Sequence, residues 1–167
     1  FDRVLLDPPC SALGLRPRLE VETTTEDLAN AEKAQRNLAF SAVYLLRVGG
    51  LLAYSTCTIS PKENEDMVRH ILDAFPCMSL LDAHARLDGS APNRCPGLAG
   101  SLSDEERAKV IRFDPCVDDL HTGFFLALFE KTESVLGAAE EEPSPSPNPN
   151  PNPNPNPNAN PYPNAPL

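Results

Sequence analysis

Val4-Leu5-Leu6-Asp7-Pro8-Pro9-Cys10-Ser11 opens the chain with a short apolar run, two prolines that cut it off, and a cysteine in the turn behind them. The same order returns in Leu51-Leu52-Ala53-Tyr54-Ser55-Thr56-Cys57-Thr58. Each apolar run reads as a buried strand and each cysteine as a strand-end residue. Ligands of open α/β sheets bind at such ends. Two thiols at two strand ends therefore point to one shared cysteine-based site.

Working outward, Thr24 or Thr25 caps a helix whose first turn carries Glu26 and Asp27. Leu28, Ala31, Ala34, Leu38, Ala42 and Leu45 recur at helical spacing and predict its buried face, and Gly49-Gly50 ends it. Ser60-Pro61-Lys62-Glu63 has the pattern of a capping box with proline at the first helical position. Met67, Ile71, Leu72 and Phe75 form the buried face of that second helix, which Pro76 stops. Met78–Leu81 reads as a short strand, Asp88–Gly100 as a loop, and Ser103-Asp104-Glu105-Glu106 as a capping box opening a helix to about Ile111. Gly123–Lys131 is apolar enough for a central strand. The alternation implies an α/β domain with parallel strands and right-handed crossovers. The last two strands lack a long helix between them and are candidates for antiparallel pairing.

The pattern amounts to half of a doubly wound domain. The first strand starts at residue 2, and the chain begins on Phe1 rather than methionine. We expect an N-terminal half outside this sequence to supply further strands, with residues 1–137 as the partial catalytic domain. Residues 138–167 form a separate tail. Near its start stand three glutamates, Glu140 to Glu142, and eleven of the chain's 19 prolines fall between Pro143 and Pro166, alternating mainly with asparagine. Proline removes backbone donors and fixes φ, so this tail is expected to be extended and disordered.

The foldable part carries 21 acidic against 14 basic residues, a net charge of −7. It lacks the basic surface of a free-standing nucleic-acid binder. Any grip on RNA falls to local arginines, with Arg16 and Arg18 just past the first cysteine loop as candidates, or to sequence outside this chain; read by themselves, the two arginines are ordinary surface charges. The five cysteines contain no CxxC pair, and His70, His84 and His121 show no ligand spacing to them. That argues against a zinc cluster and a disulfide framework, and for a reducing, intracellular compartment. No run approaches the roughly 20 apolar residues of a membrane span.

Cysteine chemistry is thiolate chemistry, favoured by exposure and a lowered pKa. Cys57 lies just ahead of the helix expected from Ser60 and would feel its positive end; taken alone, it reads more readily as a small core residue. Asp7 and Cys10 are held by the rigid prolines, and the Pro9 carbonyl is placed to accept a hydrogen bond from a ligand amino group.

Asp7-Pro8-Pro9-Cys10-Ser11, Ser55-Thr56-Cys57-Thr58-Ile59 and Glu63-Asn64-Glu65 together resemble the Sun (RsmB-like) family of RNA cytosine-5 methyltransferases. Phe1-Asp2-Arg3, Arg112-Phe113-Asp114-Pro115 and Gly123-Phe124-Phe125 extend the likeness to about Lys131, and Leu13-Gly14-Leu15-Arg16-Pro17 resembles its tRNA-methylating branch. The resemblance implies the C-terminal half of a Rossmann-like class I methyltransferase domain with S-adenosylmethionine as methyl donor. It implies Cys57 as the nucleophile on carbon 6 of a flipped cytosine. Cys10 assists proton removal and release, and Asp7 stands where cofactor and cytosine meet. The family's glycine-rich cofactor loop precedes these motifs and is not in the sequence, so the chain alone is expected to be inactive. Ala12 departs from the family's usual glycine. Two other readings fit parts of the chain. One is an amino-group methyltransferase of the DPP-aromatic type, in which Cys10 would replace the aromatic and Cys57 would have no role. The other is a non-catalytic truncated product or degenerate partner domain.

Overall fold

The computed structural model describes residues 1–16, 20, 22–87, 93–115 and 122–135. Phe1–Gly137 forms one compact unit. Arg18, His121 and the Pro/Asn-rich tail lie outside the described residues.

The elements follow in the order β1 (Arg3–Leu6), α1 (Thr25–Leu45), β2 (Leu51–Thr56), a 3-10 turn (Pro61–Glu63), α2 (Glu65–Ala74), β3 (Met78–Leu81) and α3 (Ala83–Arg86). After these come β4 (Arg94–Cys95), α4 (Asp104–Lys109), β5 (Ile111–Phe113) and β6 (Phe124–Lys131). β1 and β2 run parallel, from Arg3 opposite Leu51 to Leu6 opposite Tyr54. β6 pairs antiparallel with β2 along Leu51–Thr56. Its other side is shared: β5 takes Phe124–Leu126 and β3 takes Leu128–Lys131, both antiparallel. The short strand β4 extends the sheet beyond β5. The fold is thus mixed α/β, with β6 central and β1 at an edge, paired with β2 alone among the described residues.

One sheet face carries the core. Leu52 and Tyr54 of β2 alternate inward beside Phe125, Ala127 and Phe129 of β6, all buried. Ala39, Ala42, Val43 and Leu46 of α1 and Met67, Val68 and Ile71 of α2 close over them. Each large apolar side chain buried here contributes about 1.5–3 kcal/mol. On the other face Leu5 is 73% exposed. Lys131 is buried, and its ammonium donates to the carbonyls of Val43 and Leu46, each at 2.8 Å, satisfying the C-terminal end of α1 from the adjoining strand.

Several expectations needed correction. The buried face of α1 is Gln35, Ala39, Ala42 and Val43, while Leu38 and Leu45 point to solvent. Small residues at 39 and 42 let the helix lie close to the sheet, and Gln35 turns inward because it has polar partners there. Ser60 makes no side-chain cap bond. Its amide takes the Thr58 hydroxyl at 3.2 Å, and Glu63 turns inward instead of back to the turn. The helix from Ser103 stops at Lys109, and Ile111 begins β5, whose β-branched and aromatic side chains suit the ladder with β6. The Thr24 and Ser103 capping boxes form as expected.

Two features of the loops yield stability predictions. Ala12 adopts φ +54°, a left-handed conformation that costs a side chain about 1–2 kcal/mol. Ala12→Gly should raise unfolding stability by about 1 kcal/mol in urea titration; a loss would mean the methyl group is packed usefully. Arg112 makes a bidentate pair with Glu65, Nε to Oε1 and Nη2 to Oε2, each at 2.6 Å, both residues buried. Arg112→Ala leaves that carboxylate uncompensated and should cost about 3–5 kcal/mol, measured the same way; a loss under about 1 kcal/mol would show that water reaches Glu65.

Candidate active site

The parallel pairing of β1 and β2 delivers both cysteine loops to the same sheet edge. The Cys10 and Cys57 sulfurs lie 3.3 Å apart, both half-buried, close enough to share a proton. Asp7 stands beside them: its Oδ1 accepts a hydrogen bond from the Ser55 hydroxyl at 3.1 Å, which ties the end of β1 to the end of β2. Pro8 is buried, and the Pro9 carbonyl accepts from Gln35 Nε2 at 3.0 Å. That carbonyl therefore has a protein partner from α1, which the sequence reading did not foresee.

Backbone holds the loops together as well. The Gly14 amide donates to the Cys57 carbonyl at 3.0 Å, and the Gly123 amide donates to the Gly14 carbonyl at 2.7 Å. A Cβ at Gly14 would sit 2.3 Å from the Gly123 oxygen and 2.7 Å from the Cys57 oxygen, so no side chain fits between the three segments.

Glu63, Asn64 and Glu65 are all buried, and each grips the Cys57 loop. The Glu63 carboxylate accepts from the Ser11 amide at 2.8 Å, from the Ser11 hydroxyl, from Gln35 Nε2 at 3.0 Å and from the Thr58 hydroxyl at 3.3 Å. Asn64 accepts from the Thr56 hydroxyl at 2.6 Å and donates to the Thr58 carbonyl at 3.0 Å. Glu65 holds Arg112, whose Nη1 donates to the Ile59 carbonyl at 3.2 Å. The Tyr54 hydroxyl donates to the Glu63 carbonyl at 2.6 Å and lies 3.3 Å from Gln35 Oε1.

Electrostatically the site resists negative charge. Burial pushes the Cys57 thiol up to about 11, with the hydrogen bond to Cys10 and the neighbouring charges of Cys10 and Asp7 adding to it. This overturns the expectation of a thiol activated by a helix end. The segment after Cys57 is a 3-10 turn, and Asn64 at φ −116°, ψ −90° interrupts the backbone before α2 starts. Burial, then Glu63, Cys10 and Asp7, push the Tyr54 phenol upward too, so it remains a donor.

Of the residues singled out in the sequence, Cys57, Cys10, Asp7 and Pro9 come together in this one place. Arg16 does not join them: it is exposed, and its Nη1 folds back on the carbonyls of Leu13 (3.2 Å) and Leu15 (2.9 Å). Cys10 also borders a cleft of about 380 Å³ with Ser11, Glu22, Thr23, Asp27 and Ala31. Gln35 was not singled out, and a glutamine amid the alanines of an amphipathic helix was its signal; Ser11 and Thr58 entered only as members of the two cysteine motifs. Among the described residues no cluster of three or more His, Cys, Asp and Glu side chains could hold a metal ion, and no helix is long and apolar enough to cross a membrane.

Comparison with known proteins places this geometry. The family model for 16S rRNA methyltransferase RsmB/F matches residues 1–129. The chain is 46% identical over 141 residues to the rRNA (cytosine-C(5))-methyltransferase NOP2C of Arabidopsis thaliana, covering 77% of this chain and 22% of that protein. It is 36% identical over 134 residues to the tRNA (cytosine(72)-C(5))-methyltransferase of Pyrococcus horikoshii, covering 80% of this chain and 30% of that one. The crystal structure of NSun6 from Pyrococcus horikoshii with SFG superposes with a TM-score of 0.62 at 36% identity, over 78% of this chain and 30% of that one. The chain thus spans less than a third of the length of these relatives. From Phe1 through β6, motif and fold agree, and the chain belongs to the RsmB/F family of RNA methyltransferases.

Proposed function

We propose that this chain carries the base-facing part of an RNA cytosine-5 methyltransferase site, with Cys57 as nucleophile. The observation that carries the reading is the pair of thiols 3.3 Å apart at neighbouring strand ends, with Asp7 tied beside them. Carbon 5 of cytosine is poorly nucleophilic until a group adds at carbon 6, and a thiolate both adds and leaves readily. The target base must leave its stack to reach two half-buried sulfurs. Cys57 gives up its proton to solvent, and its thiolate forms the sulfur–carbon 6 bond as the π pair of the carbon 5–carbon 6 double bond shifts toward carbon 5. Cys10, in contact with it, assists loss of the carbon 5 proton, and the Cys57 sulfur then departs as the double bond re-forms. Asp7 is positioned to steady the ring and to face a cationic methyl donor.

The residues present fit S-adenosylmethionine to that extent: an exposed carboxylate, Asp7, at the end of β1 suits a positively charged ligand. When bound, the cofactor supplies the methyl group that carbon 5 receives. Use of this cofactor is supported by the relative solved with SFG, an analogue of it. We propose that most of the cofactor's binding residues lie outside this chain. For the substrate we propose tRNA, on the Leu13–Arg16 likeness and on relatives named for tRNA cytosine 72; relatives named for rRNA make rRNA the competing result. The amino-group reading finds less support, because the Pro9 carbonyl that would hold the target amine already accepts from Gln35.

Trapping with RNA containing 5-azacytosine tests the mechanism in the full-length protein. The unsubstituted enzyme and Cys10→Ala should form a covalent adduct, Cys57→Ala none, and with ordinary RNA Cys10→Ala alone should accumulate adduct. An adduct that survives Cys57→Ala reverses the two roles, and no adduct from any variant ends the reading. Sequencing the trapped RNA decides between tRNA and rRNA.

A pH test follows from the raised Cys57 thiol. With its pKa near 11, the reactive thiolate is a small fraction at neutral pH, so alkylation of Cys57 by iodoacetamide should quicken about tenfold per pH unit between pH 6 and 9. Both the Cys10 hydrogen bond and its charge raise Cys57, so Cys10→Ala should move the titration to lower pH and speed alkylation at pH 8. An unchanged or slower rate would show that Cys10 does not hold the proton on Cys57.

A further inference from the structure

We propose that Glu63 is the positioning residue that sets the spacing of the two thiols; the part of the argument that concerns turnover rests on the function proposed above. Ser11 immediately follows Cys10, and Thr58 immediately follows Cys57. One carboxylate holds both: Oε1 takes the Ser11 amide and Oε2 takes the Ser11 and Thr58 hydroxyls, which are themselves 2.8 Å apart. Gln35 completes the arrangement, its Nε2 bonding both Glu63 Oε1 and the Pro9 carbonyl just ahead of Cys10, each at 3.0 Å. The Cys10 loop is therefore gripped on both sides of its thiol, and the Cys57 loop on the far side of its own, from one point.

Glu63 is fully buried, and the four donors that reach it are neutral. Burying a carboxylate without a cation is costly. An apolar side chain would fill the space at lower cost, but it could bond neither loop nor the helix. Glu63 touches neither sulfur, so its effect on them is through the adjacent residues. Small displacements of reacting groups carry large rate penalties, and a shared anchor removes the freedom of one loop relative to the other.

The thiol pair can be probed without RNA. Phenylarsine oxide condenses with two thiols at this separation, forming two arsenic–sulfur bonds and releasing water, with no change of oxidation state at sulfur. In the full-length protein, blocking of Cys10 and Cys57 by this reagent should need at least about tenfold more of it in Glu63→Ala, while single-thiol alkylation of either cysteine persists. Glu63→Gln keeps an acceptor for the Ser11 amide and Gln35 and turns an amide toward two hydroxyls that can accept, so it should stay within about threefold of the unsubstituted protein. Should Glu63→Ala fail to fold, Ser11→Ala decides, since it removes only the hydroxyl strap and should weaken bridging by about threefold. Unchanged bridging in the folded alanine variant, or in Ser11→Ala where that variant does not fold, overturns the proposal. With RNA, Glu63→Ala should lower kcat by about tenfold or more and leave KM within about threefold, because the carboxylate does not reach solvent. A protein that never traps RNA, yet loses bridging on Glu63→Ala, refutes the enzymatic reading and leaves the positioning intact.

Discussion

The parallel pairing of β1 with β2 is the constraint on which the site hangs. Parallel strands end at the same edge, so Leu6 opposite Tyr54 puts the Asp7 turn and the Ser55 turn side by side. A few residues on, the two cysteines meet. The register has no freedom to slip. Moving β2 by one residue would turn Leu52 and Tyr54 out of the core and bring Leu51 and Ala53 in. β6 enforces the choice from the other side, matching Leu52 to Phe129 and Tyr54 to Ala127 through an antiparallel ladder that runs the length of β2. The chemistry-bearing turns are thus located by apolar side chains that take no part in chemistry.

Above that frame stands a polar cluster of unusual density. Glu63, Asn64, Glu65, Gln35 and Arg112 are buried within a few residues of the thiols, and all of them are hydrogen-bonded. Fully satisfied networks of this kind hold one arrangement and penalise every other, because any rearrangement strands a buried donor or acceptor. The three consecutive residues Glu63-Asn64-Glu65 divide the work. Glu63 binds the Cys57 loop to the Cys10 loop, Asn64 closes the Cys57 loop on itself, and Glu65 binds it through Arg112 to β5. Rigidity at the sheet edge therefore comes from side chains rather than from the ladder, which ends at Thr56.

The four longer strands, the two capped helices and the meeting of the cysteines were legible from the chain because local signals carry them: apolar runs, Thr24 and Ser103 caps, prolines at the turns. What escaped was decided at long range. Glu63 sits three residues after Ser60, as a capping box requires, yet its partners are Ser11 and Gln35, far away in sequence. The leucines of α1 suggested one face, while a glutamine and two alanines turned out to define the other. The strands β4 and β5 are two and three residues long and have meaning only against β6. The mutual approach of Gly14, Cys57 and Gly123 has no local signature at all.

The raised Cys57 thiol follows from the same packing that brings the reactive groups together. Burial, Cys10 and Asp7 each disfavour a thiolate there. The Tyr54 phenol is held protonated by the same neighbours, with Glu63 foremost among them after burial. Around Cys57 and Tyr54 stand the carboxylates of Asp7 and Glu63, while the Arg112 guanidinium is taken up by Glu65. Such a place disfavours a further anion and favours a cation. The chain's net charge of −10 points the same way: overall charge does not draw a polyanion to it.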